Sequence, residues 1–154
     1  MGSGGNLPAW RLVGVVAIGG AFGALTRYTV ETMLPTSNYR WPWATFLVNM
    51  AGAFAIGVVV GVLAQRELRG QSAPAWLRPL AVTGYLGGLT TFSTYMVEVF
   101  TRLDSGEPLA FLTGITYLFV TTLAGIGLVV FGLTLVERRF PPVDTEAIEE
   151  AEEA

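Results

Sequence analysis

The sequence predicts an all-α membrane protein with four transmembrane helices, the third broken at mid-membrane. Three observations lead there. The 154 residues are 52% hydrophobic and only 14% charged, with mean hydropathy +0.54. That balance belongs to membrane chains rather than to soluble domains. Four apolar runs are each long enough to cross a hydrocarbon core, which takes about 20 helical residues. One of those runs contains GYLGGLTTFSTY, Gly84 to Tyr95, with adjacent glycines and a cluster of hydroxyls (Thr90, Thr91, Ser93, Thr94, Tyr95). Glycine costs about 1 kcal/mol against alanine inside a helix. Irregular backbone at membrane depth survives only where protein or water covers it. The segment therefore reads as a helix break held inside protein, with carbonyls and hydroxyls free to meet an ion.

The first span runs from about Trp10 to Leu34, with Pro35 just past its end. The second begins near Trp41 and ends near Ala64. The third covers about Ala75 to Phe100, entered through Pro74 and Pro79, and the fourth about Pro108 to Val136. The connections TSNYR, QRELRGQSA and RLDSGE are short, so neighbouring helices are expected to be antiparallel and to form one compact unit. Trp10, Trp41, Trp43 and Trp76 fall at span ends, where indoles favour the membrane interface. The expected organisation is an N-terminal extension (1–9), a four-helix transmembrane domain (10–136) and an acidic, solvated tail (137–154). No basic region precedes the first apolar run, so no cleaved signal peptide is expected. Arg11, Arg66, Arg69, Arg78, Arg138 and Arg139 share one side, which favours cytoplasmic termini.

Composition also excludes functions. There are no cysteines and no histidines, which removes thiolate chemistry and the commonest general base and metal ligand. No phosphate-binding loop, HExxH or nucleophile elbow is present. All nine basic residues are arginine, and they form no nucleic-acid footprint.

Small residues recur at helical spacing: Gly19 with Gly23, Gly57 with Gly61, Gly84 with Gly88. Such faces let membrane helices approach closely. Four helices enclose little interior, so a conducting path would need a second subunit to line it. Arg27, near the end of helix 1, is either paired for function or assembly, or snorkels to the interface. Asn49 in helix 2 would cost several kcal/mol if left unpaired in hydrocarbon. It serves either an interhelical hydrogen bond or an ion. Thr45 shares its face one turn earlier. Phe92 and Tyr95 share a side after the break, with Ser93 and Thr94 between them. Their rings either pack or offer electropositive edges to an anion. Tyr117, Thr121 and Gly125 follow one stripe of helix 4. Those hydroxyls either line a path or bond the preceding turn. Glu98 is assigned no role.

Taken together, GGAFGALTRY, WPWATFLVNMAGAFAIG and GYLGGLTTFSTY resemble the Fluc (CrcB) fluoride channels, from about Trp10 to Val136. The resemblance implies a dimer of antiparallel, dual-topology subunits with two fluoride pores at the interface. It implies a structural Na+ at the dimer centre, held by the backbone carbonyls of Gly87 and Thr90. It places Asn49, Phe92, Tyr95, Tyr117 and Thr121 in the pore and Arg27 at a vestibule or assembly contact. Two departures stand out: Tyr95 where the family typically carries Phe, and Gly125 where a hydroxyl is expected. The arginine bias leaves a heterodimer open beside a homodimer.

The expected function is passive, selective export of fluoride across a prokaryotic cell membrane. Asn49 and the hydroxyls of Thr45, Ser93, Thr94 and Thr121, with the aromatic edges, would replace the water that fluoride sheds. Several weak sites in a row permit both entry and exit. The alternative is a small dual-topology multidrug transporter, for which Glu31 is the only candidate embedded acid.

Overall fold

The computed structural model describes residues 8–34 and 40–140. The expected loop around Pro35, the N-terminal extension up to residue 7 and the acidic tail from residue 141 lie outside the described residues. Helix α1 spans Ala9–Met33 and starts where Pro8, in extended conformation, accepts from the Arg11 and Leu12 N–H groups. Helix α2 spans Trp43–Leu68, a turn beyond the expected end at Ala64. Its true stop is Gly70, at φ 68°. There the Gln71 N–H reaches Arg66 O and the Gly70 N–H reaches Glu67 O, the double bond that closes a helix on a left-handed glycine. Hydropathy falls at Gln65, but polar residues do not end a helix.

The apolar run from Ala75 to Phe100 is not one span-length helix. Helix α3, Pro79–Leu86, is wound with the wider π-helical repeat. A single α-helical turn, Gly87–Leu89, continues it. Thr90 is extended (φ −76°, ψ 153°), and helix α4 begins only at Ser93 and runs to Leu103. Helix α5, Pro108–Arg139, is the longest, and Pro108 sits in its first turn, where a missing N–H costs nothing. Among the described residues, α1, α2 and α5 are long and apolar enough to cross a membrane.

Glycines decide which helices pair. A Cβ on Gly84 would lie 2.8 Å from Val16 O and 3.0 Å from Gly19 Cα. One on Gly23 would strike Tyr85 O, and one on Gly88 would strike Gly20 O. Thus α1 lies backbone to backbone against α3 and the turn after it. On the other side a Cβ on Gly132 would meet Phe54 O at 2.7 Å, and one on Gly57 would strike Val129 O, so α2 lies equally close to α5. Two buried clusters bracket the non-helical residues 90–92. Val48, Leu86 and Leu89 form one; Tyr95, Val99 and Tyr117 form the other. Phe22, Leu25, Phe119, Leu123 and Ile126 point outward, as a lipid-facing or subunit-facing surface requires.

Candidate functional site

The backbone after Leu89 leaves the helical ladder because its donors find other acceptors. The Thr90 N–H still donates to Leu86 O at 3.0 Å. The next N–H, of Thr91, donates instead to Asn49 Oδ1 at 2.8 Å, while Asn49 Nδ2 donates to Thr91 O at 3.0 Å. The side-chain amide thus pairs with one peptide unit as a neighbouring strand would. This pairing orients the amide, since an N–H needs an oxygen opposite it. Among the described residues, the second N–H of Asn49 has no partner. Thr91 Oγ1 accepts from the Thr94 N–H at 3.1 Å, the bond that caps a helix start. It also donates to Thr94 Oγ1 at 3.1 Å and lies 3.4 Å from Ser93 Oγ. Ser93 and Thr94 therefore belong to the cap of α4.

Asn49, Thr90, Thr91, Phe92 and Tyr95 meet Thr121, Thr122 and Gly125 of α5 around an open groove of about 400 Å³, whose other walls include Met50, Ile56 and Val129. Thr121 is 5% exposed, and its hydroxyl oxygen is buried without a hydrogen-bond partner among the described residues. Phe92 is 74% exposed on the groove's open side, with its ring centroid 6.0 Å from that of Tyr95.

Thr45 and Tyr117 lie outside this groove. Thr45 Oγ1 donates to Glu98 Oε1 at 2.8 Å and Tyr117 Oη to Glu98 Oε2 at 2.9 Å. Both side chains are fully buried. Arg102, also buried, donates through Nη1 to Glu98 O at 2.8 Å and through Nη2 to Arg40 O at 2.7 Å. Trp41 stands edge-on to Tyr117 at 5.2 Å. Glu98 is the organising residue of this second cluster, and sequence reasoning passed over it. The signal was present: an acid inside an apolar run needs a partner, and Glu98 lies one turn beyond Tyr95.

Arg27 faces the non-helical residues. Its Nη1 donates to Thr90 O at a long 3.4 Å, and its Nε lies 3.8 Å from Glu31 Oε1. The same stretch tests whether a cation suits the chain. No cluster of His, Cys, Asp or Glu able to hold a metal exists among the described residues. Backbone oxygens remain. Gly87 C=O loses its helical donor because the Thr91 N–H goes to Asn49, and among the described residues Thr90 C=O receives the long Arg27 contact alone. Carbonyl oxygens are what a hard cation prefers, so these residues fit Na+ in donor type.

Residues 14–133 match the family described as CrcB-like protein, Camphor Resistance (CrcB). Among curated proteins, the chain is 44% identical over 122 residues to "Fluoride-specific ion channel FluC 2" of Nocardia farcinica, covering 76% of this chain and 79% of that one. It is 42% identical over 118 residues to "Fluoride-specific ion channel FluC" of Bordetella petrii, covering 77% and 85%. It is 41% identical over 130 residues to "Fluoride-specific ion channel FluC" of Hyphomonas neptunium, covering 82% and 95%. The chain belongs to the CrcB family.

Proposed function

We propose that this member of the CrcB family is a fluoride channel that releases the anion passively from a prokaryotic cytoplasm, and that the groove beside residues 90–92 is one wall of its pore. The observation that carries the reading is the buried Thr121 hydroxyl, without a hydrogen-bond partner among the described residues, in the wall of a mostly apolar groove that Asn49 also lines. A small anion must give up its water to enter, and it does so only where donors take over. Thr121, Asn49 and the ring edges of Phe92 and Tyr95 offer a short series of such donors, each weak enough to let the ion leave. Thr45 and Tyr117 act through Glu98 as the packed end of the wall, and Ser93 and Thr94 keep the start of α4 in place.

The groove is open on the side of Phe92, so a second copy would close it. An antiparallel dimer would carry two such pores. The carbonyls of Gly87 and Thr90 would hold a central Na+, whose contribution is a fixed positive charge at mid-membrane. Arg27 adds positive charge beside Thr90 and favours anions at a vestibule. Glu31 weighs against the multidrug-transporter alternative, because it sits beside Arg27 near the end of α1 rather than as a free embedded acid.

Purified protein in liposomes tests the reading. Fluoride efflux on an ion-selective electrode, without chloride efflux under the same gradient, is the expected result. Wild-type vesicles that pass neither anion, or pass both equally, would overturn it.

A further inference from the structure

Resting on the pore reading, we propose that the Tyr95 phenol hydroxyl is a positioning group that sets the width of the groove, and that this hydroxyl, unlike the ring edge, is not an anion ligand. Tyr95 Oη donates to Leu118 O at 2.6 Å and lies 3.1 Å from Thr122 Oγ1. Thr122 Oγ1 itself donates to Leu118 O at 2.9 Å. Two protons serve three oxygens, so none is offered to the groove. An anion approaching the phenol oxygen would meet lone pairs. Only the carbon edge of the ring is left to attract it.

The tether joins two elements that no backbone bond connects here. Tyr95 lies in the first turn of α4, directly after the non-helical residues, while Leu118 and Thr122 lie on α5 beside Thr121. Its ring is buried and stands edge-on to Tyr117 at 5.1 Å. Phe92 has no such anchor. The aromatic pair is therefore unequal: one ring is buried and tethered, the other is exposed. The held ring fixes the distance between the start of α4 and the Thr121 stripe. A wall kept at that distance suits a small anion and excludes a larger one.

Tyr95→Phe deletes the phenol and keeps the ring edge. In liposomes it is expected to lower the ratio of fluoride to chloride efflux about fivefold through a rise in chloride leak, the factor one net hydrogen bond is worth. Thr122→Val, which removes one of the two partners, should raise chloride leak less, and Thr122→Ser should match wild type. Amide hydrogen exchange over residues 93–97 reads the tether independently of conduction and should quicken in Tyr95→Phe. Loss of fluoride efflux with chloride still excluded would make the phenol a ligand and overturn the proposal. So would a Tyr95→Phe protein identical to wild type in both fluxes and in exchange. A wild-type protein that conducts neither anion overturns the pore reading and the width claim with it, whereas a conducting wild type with an indifferent Tyr95→Phe overturns this inference alone.

Discussion

The groove and the Glu98 cluster are made from the same side chains, hydroxyls and one amide or carboxylate at the junction of α2, α4 and α5, yet their hydroxyls are used in opposite ways, although Trp41 Nε1 and Arg102 Nε beside Glu98 also lack a partner among the described residues. Around Glu98 each carboxylate oxygen has a hydroxyl donor, and Arg102 locks the backbone beside it. Around the groove Asn49 secures the irregular peptide at Thr91, and the Thr121 hydroxyl has no partner among the described residues. Unmade hydrogen bonds in apolar surroundings cost free energy, so under the pore reading the bare hydroxyl in the groove wall is the one open to a ligand, while a bonded hydroxyl is a structural tie. Residue type alone does not separate the two.

Substitutions can sharpen that contrast, and Asn49→Asp carries the largest expected effect on flux. A carboxylate about 4 Å from a fluoride ion repels it by about 4 kcal/mol at an effective dielectric of about 20, which is roughly a thousandfold in rate. Liposome efflux should collapse; an undiminished rate would remove Asn49 from the pore. Thr121→Val comes next. It deletes a hydroxyl with no partner among the described residues, so thermal unfolding in detergent should stay at or above the wild-type midpoint while fluoride efflux falls about tenfold. Unchanged efflux with lowered stability would reverse the assignment. Thr45→Val should alter flux least. It leaves a carboxylate oxygen of Glu98 short of its donor, so stability should drop by about 1 to 3 kcal/mol with efflux close to wild type. A Thr45→Val protein as stable as wild type but poorly conducting would move Thr45 into the pore and dissolve the distinction between the two regions.

Much of the architecture was legible before any coordinates. The apolar runs of α1, α2 and α5 follow from hydropathy, and the glycine spacings mark the faces that meet. Hydropathy fades at Ala64, but α2 ends only at Leu68, because its stop is the left-handed Gly70. Asn49 and Thr121 were legible as polar residues out of place in lipid. Thr45 and Tyr117 were legible for the same reason and were grouped with them, since nothing along the chain shows that Glu98 lies between their hydroxyls. The Tyr95 phenol was visible as a departure from Phe, but its acceptor, the Leu118 carbonyl, lies 23 positions away.

By itself, then, the sequence determined an all-helical, membrane-suited chain and the places where polar groups had to be accounted for. Those properties are sums over neighbouring residues: turn-by-turn apolarity, helix propensity, the spacing of small side chains. Tertiary structure decided which polar atoms would be satisfied and which left bare. A donor's partner is chosen by proximity in space, as when Asn49 meets the Thr91 backbone across 42 positions of chain, and that proximity exists only once the helices have packed.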